Sequence, residues 1–278
     1  MMNERVWLIH GNNIDHYLEL GSVDAIITDP PYGAEVHSKQ RVGRNRHGYV
    51  DSAPIGFDQL TSEDTELLSH FACTRCKGWS LIFHQDEHLS TWREAMETTT
   101  GHGTKFFRPM IWVKTNAKPN LNGDGPGKGH EMIAAFWSDT SRRTKWNGGG
   151  KVGVFMHARP HTSNTLSIHR HPTEKPVALM KELIRLFTNP GDVVFDPFMG
   201  SGSTGVAALE LGRKFIGIEK NIDYYDAATD RINEALSKNE LLPTASSKMP
   251  TLFGGAAYGS TGTRKRLARE AKENAERS

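Results

Sequence analysis

Cysteine is scarce, with two residues in a chain of 278. That is too few for a disulfide framework and fits a reducing, cytoplasmic setting. Long apolar runs are missing as well. The stretch in MMNERVWLIHG is shorter than the core of a signal peptide, and nothing approaches the ~20 residues that cross a bilayer, so no membrane partner is expected. A strong charge of one sign is also absent. The net +2 diagnoses no partner, and any footprint for a polyanion must lie in the local distribution. No internal repeat is present. With 37% hydrophobic and 24% charged residues, the chain can bury a full core, and one domain with insertions is the natural reading.

Short apolar runs alternate with helical periods along the chain. Strands are expected over 5–9, 23–28, 79–84, 106–113, 131–137, 192–196 and 214–219. Helices are expected over 14–20, 62–76, 87–98, 176–188, 203–211 and 222–237. Thr61 or Ser62 can cap the second helix, whose first turn is acidic. Buried apolar strands alternating with helices mean an α/β fold with a mostly parallel sheet. Residues 139–170 show no sustained period, and the tail from 239 to 278 is Ser/Gly-punctuated and then mixed in charge, as a solvated segment would be.

Two stretches carry chemistry. In DVVFDPFMGSGSTG a strand runs into a tight turn and a helix start, with Gly200, Gly202 and Gly205 spaced G-x-G-x-x-G and Glu219 ending the next strand. Such glycines let backbone approach a ligand, and the second-strand acid can hold ribose hydroxyls. The pattern serves a dinucleotide or S-adenosylmethionine alike. Asp196, just before the turn, suits a ligand bearing an amino group and a cation better than a pyrophosphate. In VDAIITDPPYG an acid is held beside an aromatic ring by two prolines that each fix φ. Alone, that stretch is as much a rigid turn as a site.

Together, Asp29-Pro30-Pro31-Tyr32, His171-Pro172-Thr173-Glu174-Lys175-Pro176 and Asp196-Pro197-Phe198-Met199-Gly200-Ser201-Gly202 resemble the motifs of the amino-methylating DNA methyltransferases. With the catalytic motif first and the cofactor turn some 170 residues later, the order is similar to that of the beta class. Trp112-Val113-Lys114-Thr115-Asn116 and Gly129-His130-Glu131 resemble its middle motifs. The resemblance implies a Rossmann-like class I methyltransferase sheet, circularly permuted. Residues 1–138 would be the catalytic half, with a basic loop at 34–57. Residues 139–170 would be a target-recognition insertion, 171–238 the S-adenosylmethionine-binding half and 239–278 a tail.

The implied reaction moves the methyl of S-adenosyl-L-methionine to N6 of an adenine flipped out of double-stranded DNA, by direct in-line attack. Asp29 and the Pro30 carbonyl would accept the two amine hydrogens, Pro31 would stiffen the loop and Tyr32 would stack on the base. The donor would meet Asn12 (where the family often has an acid), Asp29, Thr173, Lys175, Asp196, Phe198, Gly200, Ser201, Gly202, Glu219 and Lys220. Cytosine N4 is the near alternative. A nicotinamide oxidoreductase and a non-catalytic DNA-binding protein are the remote ones. A homodimer and a cognate restriction enzyme stay open.

Two insertions carry the positive charge. Residues 37–48 hold Lys39, Arg41, Arg44 and Arg46 with no acid, and 139–170 hold Arg142, Arg143, Lys145, Lys151, Arg159 and Arg170 against Asp139. Backbone binding is expected of the first and sequence readout of the second. Cys73-Thr74-Arg75-Cys76, with His70 nearby, falls at a helix C-terminus, where the helix field disfavours a thiolate, so packing is expected of both cysteines. His157, His161, His169 and His171 read as loop polarity, and no metal is expected.

Overall fold

Val, Ile, Phe and Trp cluster in short runs, and in the computed structural model these runs become neighbouring strands. The structure describes residues 4–31, 60–98, 104–138, 146–160 and 174–240. Eight strands form one sheet among them: β1 Val6–His10, β2 Val23–Thr28, β3 Cys76–His84, β4 Thr104–Lys114, β5 His130–Ser138, β6 Val154–His157, β7 Val193–Asp196 and β8 Lys214–Glu219. Their order is β1-β8-β7-β2-β3-β5-β4-β6. The run from β1 to β3 is parallel, β5 is antiparallel to both of its neighbours, and β6 is parallel to β4.

Helices cover both faces, as an all-buried parallel sheet requires. On one face lie α1 (Asn13–His16), α2 (Ser62–Arg75) and α3 (Leu89–Thr98). Their Leu68, Phe71 and Trp92 pack with Ile26, Ile82, Phe136 and Phe195. On the other lie α4 (Val177–Phe187), α5 (Ser203–Glu210) and α6 (Ile222–Glu240). Here Leu183, Ile184, Ala207 and Ile232 meet Ile27, Leu81, Val194 and Phe215. Thus β7 crosses by α5 to β8 on one side, while β2 crosses by α2 to β3 on the other. Strand order reverses between β2 and β7, which is where open α/β sheets bind ligands. Among the described residues no helix is long and apolar enough to cross a membrane.

The expected elements form, with three differences. The first helix is one short turn, because Tyr17 and Leu20 drop into the core and Gly21 follows. Strand β3 starts directly after α2, at Cys76. Finally, the 139–170 region is not all insertion: Val154–His157 pairs with Ile111–Lys114 as the sheet's edge. Four residues with only Phe155 buried are too few to reveal a period. Thr61 caps α2 in a reciprocal box with Asp64. Both cysteines are buried; Thr104 Oγ1 donates to Cys73 Sγ at 2.8 Å, and burial pushes the Cys76 thiol up to about 11.

Gly205 is the third glycine of the turn motif, and its job is packing. A Cβ there would lie 2.6 Å from Phe215 Cε1 and 2.7 Å from Ile232 Cδ1. Gly205→Ala should therefore destabilise by about 1–3 kcal/mol through overpacking, although alanine is the better helix former. Urea unfolding reads this as a lower midpoint at unchanged slope; a higher midpoint contradicts it.

Candidate active site

Because β5 alone runs backwards in the sheet, its first residues join the C-terminal ends of the other strands along one edge. His10, Glu219, Asp196, Asp29, His84, Glu131 and Lys114 are thereby brought into line. At the reversal point, Thr28 Oγ1 donates to Asp196 Oδ1 at 2.7 Å across 168 residues of sequence. Thr204 Oγ1 donates to Oδ2 at 2.7 Å and the Phe198 amide to Oδ1 at 3.1 Å. Asp196 is buried, which pushes its carboxyl up to about 6 against the pull of these hydrogen bonds. Its carboxylate is thus occupied in building the turn and fastening it to β2.

The turn itself passes through left-handed backbone at Gly200 (φ 53°) and Gly202 (φ 77°), a conformation that favours glycine. Glu219 Oε2 accepts from the Gly200 amide and Oε1 from the Asn221 amide, both at 2.8 Å. Burial raises the pKa of this carboxyl. The Gly11 amide donates to the Glu219 carbonyl at 3.0 Å, so Gly11-Asn12 lies beside it. Asn12 Oδ1 caps α1. The Lys220 carbonyl is 3.2 Å from His10 Nε2. Ser201 is buried, and its carbonyl accepts from Arg231 Nη1 at 2.6 Å. Arg231 Nη2 also pairs with Glu174 Oε1 at 2.8 Å, tying the turn to the HPTEKP segment.

Beside the turn lies a buried charge network. Lys175 Nζ bonds Asp29 Oδ2 and sits 3.1 Å from Glu131 Oε2, over the Phe83 ring. Lys114 Nζ holds Glu131 Oε1 at 2.7 Å. Burial raises the Asp29 carboxyl and Glu131 adds to this, while Lys175 and Lys114 oppose it. For Glu131, burial is outweighed by Lys175 and Lys114, which leaves it below the ordinary carboxylate range. Asp29 Oδ1 is buried with no hydrogen-bond partner among the described residues. A lone buried acceptor is costly unless something donates to it.

The N6/N4 methyltransferase family model, described as DNA methylase, matches residues 23–230. The chain belongs to that family. It is similar to the type II methyltransferase M.HinfI of Haemophilus influenzae, with 31% identity over 245 residues that cover 77% of this chain and 64% of that protein. It thus spans less than two thirds of that relative's length. Among solved structures, the M1.HpyAVI–SAM complex superposes with a TM-score of 0.62 at 27% identity, covering 82% of this chain and 99% of the other. The cytosine-N4-specific PvuII DNA methyltransferase shares the fold, with a TM-score of 0.60 at 16% identity over 85% of this chain and 94% of that one.

In this chain the motif residues Asp29, Pro30, Pro31, Asp196, Phe198, Gly200, Ser201, Gly202 and Glu219 share the one edge, at or just beyond the strand ends. Lys175, which the resemblance implies would meet the donor, bonds Asp29. Lys151, expected on DNA, sits 3.0 Å from Glu182 Oε1 on α4. His157 is not loop polarity but a strand residue, with Nε2 2.8 Å from Glu182 Oε2. Tyr32, Thr173, Lys39, Arg41, Arg44, Arg46, Arg142, Arg143 and Lys145 lie outside the described residues. Thr28, Thr204 and Arg231 were missed. Only Thr28, adjacent to the acid, had a positional hint.

The Asp196 environment yields a pH test. Its folded carboxyl sits at about 6 against 3.8 for an open one, so the folded chain holds the proton longer than the unfolded chain does. That contribution is present below pH 4 and is lost as pH rises to about 6, at a cost of about 3 kcal/mol. Urea unfolding of Asp196→Asn between pH 4 and 7 should lack this decline, and a slope equal to the parent's contradicts the assignment.

Proposed function

We propose that the chain transfers the methyl of S-adenosyl-L-methionine to N6 of an adenine flipped from double-stranded DNA. The observation that carries this is the partnerless buried Asp29 Oδ1, held at the strand-order reversal beside the glycine turn. The residues around the turn suit the donor. Glu219 has both oxygens oriented by amides, ready for ribose hydroxyls, and the half-buried Phe198 offers an apolar wall. When bound, the donor supplies a sulfonium methyl open to in-line attack.

The rest falls to the chain's own groups. An exocyclic amine is a weak nucleophile because its lone pair is delocalised into the ring. Asp29 Oδ1 accepts one amine hydrogen and the Pro30 carbonyl the other, which draws the nitrogen toward tetrahedral geometry and frees the lone pair. As the nitrogen takes the methyl the carbon–sulfur bond breaks, S-adenosylhomocysteine leaves, and the nitrogen then sheds one proton to solvent. Fixed acceptors need no reorganisation during reaction, and each such contact is worth about 10²–10³ in rate. Tyr32 stacks on the base and offsets part of the few kcal/mol that flipping costs. Lys39, Arg41, Arg44 and Arg46 hold phosphates, while Arg142, Arg143 and Lys145 read the target. A carboxylate at position 29, rather than a serine hydroxyl, favours adenine over cytosine.

Asp29→Ala should lower methyl incorporation into DNA by about 10³, while calorimetry with S-adenosylhomocysteine shows binding within a few-fold of the parent chain. Undiminished incorporation by the variant contradicts the role of Asp29.

A further inference from the structure

Lys175 has a role that the motif it belongs to does not state. It precedes α4, is only 6% exposed, and places one ammonium between two carboxylates from different strands. Asp29 extends β2 and Glu131 is the second residue of β5, and β3 separates these two strands. The Phe83 ring of β3 lies under the ammonium, 5.1 Å from its centroid. Lys114 of β4 neutralises the far oxygen of Glu131. Four charges from four segments therefore alternate in sign along one line: Asp29, Lys175, Glu131, Lys114.

We propose that Lys175 and Glu131 are positioning residues for Asp29: the shared ammonium fixes one carboxylate oxygen and turns the other toward the target amine. This rests on the methyl-transfer reading above. The geometry separates the two oxygens of Asp29, since Oδ2 takes the ammonium and Oδ1 is left without a partner among the described residues. A carboxylate free to rotate would present either oxygen. Pinned by one, it presents the other in a single orientation. Glu131 serves as the counterweight. It shares the ammonium, which spares Asp29 from a full ion pair that would weaken it as an acceptor, and Lys114 holds Glu131 in place.

Removal of the two groups should move Asp29 in opposite directions. The charged groups that act on it are Lys175, Glu131 of β5, Lys114 of β4 and Asp196 of β7, and His84 ends the neighbouring β3. An opposite charge favours the ionised carboxylate and a like charge disfavours it, each by roughly a unit or more at such distances. Without Lys175 the acid limb of kcat against pH should rise. Without Glu131 it should fall.

The test measures kcat against pH, donor Kd by calorimetry with S-adenosylhomocysteine, and urea midpoints for the full chain carrying Lys175→Met, Lys175→Arg or Glu131→Gln. Lys175→Met should lower kcat at neutral pH about tenfold or more and raise the acid limb. Donor Kd should stay within threefold and Lys175→Arg should recover part of kcat. Glu131→Gln should shift the limb the other way. A tenfold loss of donor affinity in Lys175→Met, with kcat intact at saturating donor, overturns the proposal and returns Lys175 to the donor's carboxylate. Limb shifts of the same sign in both variants overturn it too. If the parent chain transfers no methyl, the function fails, and the pairing is judged by urea midpoints alone. In that case Lys175→Met should cost less stability in an Asp29→Asn background than in the parent, and equal costs overturn the pairing.

Discussion

Everything at the edge of this sheet depends on one junction, the parallel pairing of β2 with β7. It joins two halves of the chain at Ala25–Val194 and Ile26–Phe195. The Thr28–Asp196 hydrogen bond closes it. On either side the chain departs in opposite directions, so a crevice opens above the junction. The acid of one motif and the glycine turn of the other thereby meet at the same place. Neither half offers a complete site alone. The turn has no acid free for an amine, because Asp196 is occupied internally. The DPP segment, for its part, has no glycine turn.

Much of this was legible in the sequence because burial imposes simple patterns. Strands covered on both faces read as continuous apolar runs, and β2, β7 and β8 show them plainly. Helix α2 announced its start through Thr61 and its acidic first turn. The spacing of Gly200, Gly202, Gly205 and Glu219 located the turn and the strand end beside it. Even so, the purpose of each glycine was hidden: Gly202 and Gly205 answer to α6 and β8 as much as to any ligand.

What stayed illegible are contacts between residues far apart in the chain. Nothing local to Lys175 says that its partner lies 146 residues earlier. A lysine before a helix reads as a ligand clamp or a solvated charge, and burial between two carboxylates appears only once β2, β3 and β5 are in register. Strand β6 escaped for a different reason. At this sheet edge only one of the strand's four residues is buried, which makes no detectable period. The bonds from Thr28 and Thr204 to Asp196 were likewise hidden, since they span 168 residues in one case and a turn in the other.

The central claim is that this edge methylates an adenine amine, and isotope transfer tests it most directly. Duplex DNA would be incubated with the chain and S-adenosylmethionine bearing a trideuterated methyl, then digested and read by nucleoside mass spectrometry. The label should appear on deoxyadenosine as the N6-methyl form. Label on deoxycytidine N4 would contradict the choice of base, and DNA free of label would contradict the account as a whole.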